Sequence, residues 1–460
     1  MSSQGAATDK YTRMLTAPVE SLIIRMAAPA IAIVLISSLH VMADTYFVGQ
    51  LSARALAGVA VSFSLVAVLQ ALGFFFGQGS GTYISRRMGA GDMEAVTRMT
   101  ATGVVYAFIA GIFITIAGLL NLERFARLLG STDTILPYAE NYLRFILVGA
   151  PMITVALLLY NILRFQGNPA YGAIGLAAGA LLSTGLTPLF IFVFDMGVSG
   201  AGLSVIAGQV VSLTILIIGC HRTGNAINLR AFSPRLYLFK EMALGGLPSL
   251  CRQGLAGASA IILNHIAGSY EYEAIAAVAV VARITMLITA VVIGVGHGLQ
   301  PVAGFNYGAG QYDRVTRGFW FCIKIGAIFL TLAALVVFPL AGQIVTLFQS
   351  NERVIEIGAT ILRMMCLSYP GMAFFFIAGM LLQTIGKAGR STLLAASRQG
   401  IFLITYIIIM PRFLGLFGLQ LGIPLADISA FLFSIPITMS VLKEIKSAGL
   451  AAKDDSVHKE

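Results

Sequence analysis

The stretch "MGAGDMEAVTR" at residues 88–98 recurs as "YGAGQYDRVTR" at residues 307–317, with six of eleven positions identical. Both copies contain glycines, which permit a tight turn, and both end in arginine. The copies lie 219 residues apart in a chain of 460. Self-similarity at one fixed spacing indicates that the chain contains an internal repeat.

Matches of glycine, proline and arginine extend this register far beyond the motif. Without a gap, the shift of 219 residues pairs Pro29 with Pro248, Gly49 with Gly268, Ala57 with Ala276, Gly77 with Gly296, Arg144 with Arg363, Pro151 with Pro370 and Gly167 with Gly386. After a slip of one residue, Gly197 and Gly200 match Gly415 and Gly418. Such matches in one register rarely arise by accident, so the sequence predicts two copies of one structural unit.

The composition identifies the environment of the chain. Hydrophobic residues make up 58% of the sequence and charged residues 11%, and there are 49 glycines. A soluble domain carries roughly 25% charged residues, so this chain has too few charges to cover its surface in water. The four cysteines stand singly, with no Cys-x-x-Cys pair, which predicts neither a disulfide framework nor a metal site. We expect an integral membrane protein without a cofactor.

Apolar runs long enough to cross a bilayer occur throughout the sequence. A span needs about 20 predominantly apolar residues, and the sequence predicts twelve such helices and no β-barrel pattern. The predicted spans are residues 22–48, 55–78, 97–120, 136–160, 171–194, 200–220, 242–265, 274–298, 318–340, 355–382, 391–411 and 416–441.

The basic residues predict the orientation of these spans. With the N-terminus in the cytoplasm, 21 of the 30 basic residues fall in inside segments, Arg164 and Arg398 among them, and 5 fall outside. Lysine and arginine are enriched in cytoplasmic loops, so both termini are predicted to be cytoplasmic. The net charge of +10 therefore faces the cytoplasmic leaflet, and nucleic acid is not an expected partner.

The repeat and the span count together predict the domain organisation. Six helices per copy give both copies the same orientation, so the fold class is all-α, with twelve transmembrane helices in two parallel six-helix repeats. The boundaries are a first half at 1–220, a basic cytoplasmic linker at 221–240, a second half at 241–445 and a cytoplasmic tail at 446–460. Transporters with parallel repeats commonly bind substrate between them.

Five stretches resemble the multidrug and toxic compound extrusion (MATE) family. They are "ADTYFVGQLSARALAGVAV" (43–61), "GTYISRRMGAGDMEAVTR" (81–98), "LRFQGNPAYGA" (163–173), "PVAGFNYGAGQYDRVTR" (301–317) and "LQTIGKAGRST" (382–392). The likeness runs from about Pro18 to Lys443 and is greatest for the bacterial branch with the DinF-like and MepA-like exporters. It implies a V-shaped, two-lobed transporter of the bacterial cytoplasmic (inner) membrane. It also implies antiport of Na⁺ or H⁺ against bulky, often cationic drugs, and hence antibiotic resistance.

Asp44, at the end of the first span, is the leading candidate for cation coupling. His40 and Ser37 precede it by four and seven residues, so all three share one helix face. Ionisable groups within membrane spans are usually functional, although an Asp near the outer rim can also be merely interfacial. The resemblance favours coupling, because family members use an Asp in the pattern "D-T-x-x-V-G", which reads "DTYFVG" here.

The fifth span departs from the family pattern Asn-x-x-x-Asp-Pro. Ser183 and Thr187 occupy the Asn and Asp places, so a second carboxylate is absent, and only neutral oxygens from these residues and Asn161 are expected beside Asp44. One acid with neutral partners suits a proton better than Na⁺, but both ions remain candidates. The second-half counterparts of Ser37, His40 and Asp44 are Ala256, Ser259 and Leu263, which confines the predicted site to the first half.

Further polar residues within the spans are candidates for the substrate cavity. Asp427 in the last span corresponds to Gln209 in the sixth, which suggests either a cavity-facing position or hydrogen bonds between helices. Arg283 and His297 are also predicted to lie inside second-half spans. The alternative for these residues is that their hydrogen-bond donors are bound by backbone carbonyls of the protein and that they do not contact substrate.

Three functions compete at this point. The first is a cation-coupled exporter whose partners are small organic cations and the lipid bilayer, and which is expected to act as a monomer. The second is a lipid-linked precursor flippase of the same superfamily, which would be expected to have more helices and a strongly cationic cavity. The third is a membrane enzyme or scaffold, which is disfavoured because the sequence contains no catalytic triad, HExxH motif or phosphate-binding loop.

Overall fold

The computed structural model describes residues 11–223 and 227–457. Ten residues of the predicted first half, three of the predicted linker and three of the predicted tail lie outside the described residues. Within the described ranges the regular elements are helical. Long helices follow one another with short connections, as expected for a chain whose backbone polar groups must be satisfied inside a bilayer.

The first six long helices lie before residue 223. They are α1 (Val19–Gly49), α2 (Ala53–Gly89), α3 (Met93–Leu120), α4 (Leu136–Phe165), α5 (Pro169–Pro188, continued by a π-helix at Leu189–Val193) and α6 (Gly197–Arg222). A short helix at Leu122–Leu128 precedes α4, and a single 3₁₀ turn follows α6 at Leu229–Ala231.

The next helices are α7 (Leu236–Gly268), α8 (Tyr272–Gly308), α9 (Tyr312–Thr346) and α10 (Glu352–Thr384). A further helix begins at Ala388–Ala396, becomes a π-helix at Ser397–Leu403 and continues as Ile404–Val457. Gly415 interrupts the last of these segments with non-helical dihedral angles, φ 57° and ψ −141°. We therefore name residues 388–414 α11 and residues 416–457 α12.

The twelve predicted spans are confirmed by these helices, and the all-helical membrane fold with them. Ten of the described helices are long and apolar enough to cross a membrane, the segment from Ala388 to Leu450 being one of the ten. Because Gly415 divides that segment in two, it accounts for both α11 and α12. The remaining predicted span corresponds to α7, which is long enough to cross a membrane but carries polar residues such as Arg252 and His265.

The sequence repeat is also a repeat of backbone conformation. Six of the seven positive-φ glycines in the described ranges occur as related pairs: Gly91 (φ 78°) with Gly310 (φ 75°), Gly167 (77°) with Gly386 (85°), and Gly197 (55°) with Gly415 (57°). In the motif that recurs, each glycine ends a helix, and the next amide donates back to Arg87 or Asn306. This is the Schellman pattern, which favours glycine because other residues clash at positive φ. The duplicated motif thus ends a helix in each of the two repeats.

By their contacts, the helices form two compact units. The first comprises residues 11–13 and Ala32–Gly246, and the second comprises Met14–Ile31 and the chain from Leu247 onward. The N-terminal part of α1 therefore belongs to the second unit, where Gly298 packs against Ile23 and Ala27. Correspondingly, the start of α7 belongs to the first unit, where the backbone of Met242 contacts Gly79.

A buried helix organises each unit. In the most apolar window of α4, 83% of residues are buried, and in its repeat counterpart α10 the value is 72%. A helix that is apolar on all sides is expected to be buried. Glycines let neighbouring helices approach α4 closely: a Cβ on Gly111 would lie 2.4 Å from Pro151, and one on Gly58 2.7 Å from Tyr138.

Candidate coupling site

Asp44 lies one turn before the end of α1 and is 8% exposed. The surrounding core of the first unit includes Val48, Tyr142 and Ile191. A carboxylate in such surroundings is costly unless it binds a proton, a cation or hydrogen-bond donors, so the partners of Asp44 decide what the site can do.

His40 is the partner of Asp44 on the same helix. Its Nε2 lies 3.5 Å from Oδ2 of Asp44, as expected for residues four apart on one helix face. Its Nδ1 lies 2.9 Å from Oγ1 of Thr184 on α5. His40 therefore connects the carboxylate to a second helix of the first unit.

Thr187 is the second partner of Asp44, and it comes from α5. Its Oγ1 lies 3.2 Å from Oδ1 of Asp44, 2.8 Å from the carbonyl oxygen of Ser183 and 2.8 Å from Oγ of Ser204 on α6. The hydroxyl of Ser204 donates to the carbonyl of Ala201 at 2.7 Å. Thr187 has one proton to donate, so this cluster contains more acceptors than donors. A bound cation or an additional proton would correct that imbalance.

The backbone around Thr187 departs from α-helical geometry. Pro188 follows it directly, and the chain continues as the π-helix Leu189–Val193. Proline lacks an amide proton and disrupts the regular hydrogen-bond ladder of a helix, and π-helical turns occur frequently at functional sites. The irregular turn and the acceptor-rich cluster are therefore adjacent.

The other predicted ligands of the first unit lie in different surroundings. The Oγ of Ser183 is buried and has no hydrogen-bond partner in the described part of the chain, so it is available to a bound cation. Ser37 is exposed on α1. Asn161 is fully buried, with its amide nitrogen donating to Leu157 and its oxygen accepting from Arg164. Thr187 and His40 contact Asp44 directly, and Asn161 is engaged within α4.

The repeat-related positions of the second unit differ in chemistry. Ser259, the counterpart of His40, donates to Oε1 of Gln399 at 2.9 Å. Leu263, the counterpart of Asp44, is an apolar residue that is 9% exposed. The equivalent of the Asp44 cluster is therefore a neutral contact between α7 and α11.

Asp427 on α12 pairs with an arginine that sequence reasoning had assigned to an inside segment. The Nε of Arg398, in the π-helix of α11, donates to Oδ1 of Asp427 at 2.6 Å. The hydroxyl of Ser368 on α10 lies 3.4 Å from the other carboxylate oxygen. Asp427 is 3% exposed, so this ion pair is largely removed from solvent.

The remaining cavity candidates lie on other helices than Asp427. Gln209 is half-buried on α6 of the first unit. On α8 of the second unit, Arg283 is exposed and His297 is 7% exposed. Their role as substrate contacts stays a prediction.

Sequence reasoning missed Thr184 and Ser204 as members of the Asp44 cluster. Thr184 follows Ser183 directly, and spacing relative to Pro188 did not distinguish it from its neighbours. Ser204 lies on α6, and no motif marks it. Hydroxyl residues are common in membrane helices, where they often bond the backbone of their own helix. Only the packing of α5 against α1 identifies Thr184, and only the packing of α5 against α6 identifies Ser204.

Comparison with known proteins agrees with this architecture. The MatE family model matches residues 29–189 and 248–408, two segments that differ by the repeat distance of 219 residues. The chain is 26% identical over 417 residues to the multidrug export protein MepA of Staphylococcus aureus strain MRSA252, covering 89% of this chain and 91% of that protein. It is 26% identical over 398 residues to MepA of Staphylococcus saprophyticus, covering 85% and 87%.

Solved structures support the fold. A crystal structure of MATE in the bent conformation superposes with a TM-score of 0.90 at 24% identity, covering 96% of this chain and 99% of that one. A MOP superfamily transporter from Pyrococcus furiosus gives a TM-score of 0.88 at 24% identity, covering 94% and 98%. With both repeats matched by one family model, the chain belongs to the MatE family of multidrug and toxic compound extrusion transporters.

Proposed function

We propose that the chain is a cation-coupled antiporter that exports bulky, often cationic organic compounds, and that Asp44 carries the coupling cation. The observation behind this proposal is the excess of acceptors around Thr187, where one hydroxyl proton faces a carboxylate, a carbonyl and a second hydroxyl. A site with more acceptors than donors favours a proton or a metal cation.

Coupling follows from the cost of an uncompensated charge. Antiport requires that cation and drug favour different conformations of the protein. When Asp44 is ionised and has no bound cation, its negative charge favours a conformation in which water or a cationic drug stabilises it. When a proton or Na⁺ neutralises the carboxylate, the conformation that excludes water and drug from Asp44 is no longer costly. No enzymatic step is part of this cycle.

The choice between H⁺ and Na⁺ depends on the oxygen ligands. Sodium would use the Asp44 carboxylate with the hydroxyls of Thr187, Ser183 and Ser204, only one of these groups being charged. A proton needs only one oxygen of the Asp44 carboxylate, so no further charged ligand is required. We therefore favour the proton as the coupling ion.

The similarity to MepA, a protein named for multidrug export, supports a proposal about substrate class and cellular location. We propose that this chain exports organic cations from the bacterial cytoplasm, with both termini on the cytoplasmic side. The positive-inside count over the whole sequence supports this orientation. We propose that the monomer is the active form, since each half contributes six helices and Asp44 has its partners within one chain.

Export activity and coupling are testable together. The chain is expressed in an efflux-deficient bacterial host, and ethidium accumulation is measured in energised cells. Less accumulation than in the empty-vector control is expected, and collapse of the proton gradient should remove the difference. Purified protein in liposomes, with Na⁺ and pH gradients imposed separately, then identifies the ion. Unchanged accumulation across a broad panel of organic cations would contradict the proposal.

A further inference from the structure

A small cavity within the second unit has a polarity opposite to that of the Asp44 cluster. It lies between α7, α10 and α11, has a cavity volume of about 30 Å³ and is open at its mouth. The charged residues that line it are Arg252 and Arg398, and both are cationic. Phe375, Phe376 and Gln399 are also part of the lining.

Arg398 is only partly used by its ion pair. Its Nε donates to Asp427, while its guanidinium carbon lies 5.6 Å from the ring centre of Phe376. In the described ranges the terminal nitrogens of Arg398 have no protein acceptor. Asp427 itself is not part of the cavity lining. Arg398 therefore presents unused hydrogen-bond donors, although its charge is balanced.

Arg252 adds a positive charge that the protein does not balance. The one hydrogen bond that it makes to the described residues runs from Nη2 to the hydroxyl of Ser249, at 3.4 Å. No carboxylate pairs with Arg252 among the residues that the structure describes. An arginine has five N–H groups and accepts no hydrogen bond, so most of its donors are also unused.

The neutral lining groups do not restore the balance. The Oε1 of Gln399 already accepts from Ser259, which leaves the amide nitrogen of Gln399 as a further donor. The hydroxyl of Ser391 donates to the carbonyl of Gly379, at 3.0 Å. The cavity therefore combines surplus donors and one net positive charge with an aromatic wall formed by Phe375 and Phe376.

We propose that this cavity binds the carboxylate group of an amphipathic organic anion. A planar guanidinium matches a carboxylate in charge and geometry, and the aromatic wall suits the apolar body of such a ligand. The repeat counterpart of Arg252 in the first unit is Ile33, so the first unit has no arginine at the equivalent position. This binding goes beyond the proposed cation coupling and does not involve Asp44.

The test uses the purified full-length chain and benzoate, a small aromatic carboxylate. Binding is measured by calorimetry and by the shift in Tm, with potassium benzoate titrated against potassium chloride at equal ionic strength. Benzamide, which has the same ring without the charge, is the control ligand. We expect saturable stabilisation by benzoate and much weaker stabilisation by benzamide.

Arg252→Gln should weaken benzoate binding by about tenfold, because charged hydrogen bonds of this kind are typically worth that much. Arg252→Lys should retain part of the affinity. Arg363→Gln removes an exposed arginine of α10 that does not line the cavity, and it should bind benzoate like the unmodified protein. Equal binding of benzoate and benzamide, or undiminished binding by Arg252→Gln, would overturn the proposal. Ethidium accumulation in efflux-deficient cells that express the same variants reports separately on the proposed antiport.

Discussion

The hydroxyl of Thr187 on α5 lies 3.2 Å from the carboxylate of Asp44 on α1, although 143 positions separate the two residues in sequence. The same hydroxyl reaches Ser204 on α6, so three helices of the first unit meet at one buried acid. This arrangement leads to a prediction that also distinguishes the coupling ions.

Thr187→Val removes the hydroxyl while nearly preserving shape. Without this donor the ionised carboxylate loses a hydrogen bond, so Asp44 should hold a proton more tightly, by about tenfold. Sodium would instead lose an oxygen ligand and bind more weakly. The measurement is the pH and the Na⁺ concentration at half-maximal drug export in proteoliposomes. Thr214→Val removes an exposed hydroxyl of α6 that bonds its own helix and serves as the control. An unchanged dependence on both ions would show that Thr187 has no part in coupling.

The Arg398–Asp427 pair should be important for stability in the second unit. Asp427→Asn leaves the guanidinium without its counter-charge, and breaking a buried pair costs about 3 kcal/mol. Replacing both partners in Arg398→Met/Asp427→Leu should cost less, because no charge then remains buried. Thermal unfolding in detergent, carried through a double-mutant cycle, measures the difference. A double variant that is less stable than Asp427→Asn would refute this account of the pair.

The duplicated glycine motif makes a prediction about the backbone. Gly310 has φ 75°, and a Cβ there would meet nothing within 4 Å, so Gly310→Ala tests conformational strain alone. It should lower the free energy of unfolding by about 1 kcal/mol. Gly389→Ala, in the first turn of α11 and also in open space, should be neutral or stabilising because alanine favours helix. Equal Tm values for the two variants would argue against strain at Gly310.

Topology provides an independent test of the parallel repeats. Reporter fusions after Arg98, Arg235 and Lys446 should all report the cytoplasm, because an even number of predicted spans precedes each. Fusions near Asp133 and Glu352 should report the outside. A periplasmic signal at Arg235 would mean that the two halves are not parallel.

Much of the fold could be predicted from sequence, because the length of each apolar run and the spacing of the repeat can both be read directly from the residues. Gly91 and Gly310 illustrate this, since one tight turn requires one residue type in both copies. Arg398 illustrates the limit. No spacing in the sequence relates it to Asp427, whereas in the structure the π-helix at Ser397–Leu403 contains Arg398 and its Nε donates to Asp427. No pattern in the sequence predicts this π-helix.

The candidate site was also predictable only in part. His40 and Asp44 lie four residues apart, so helical periodicity alone places them together. Thr187 was found because it occupies the place of an Asp in the family pattern. Ser204 was not found, since its relation to Asp44 depends on the packing of α5 against α6, which one sequence does not encode in any local spacing.

The most direct test of the central claim is drug-induced cation release from proteoliposomes containing Asp44→Asn. The amide keeps the shape of the side chain but cannot exchange a proton, and it binds Na⁺ weakly. We expect normal amounts of folded protein that releases neither H⁺ nor Na⁺ when drug is added and performs no uphill export. Asp195→Asn makes the same chemical change at an exposed position of the first unit whose φ of 51° asparagine tolerates, and it should remain active. Full cation-coupled export by Asp44→Asn would contradict the account.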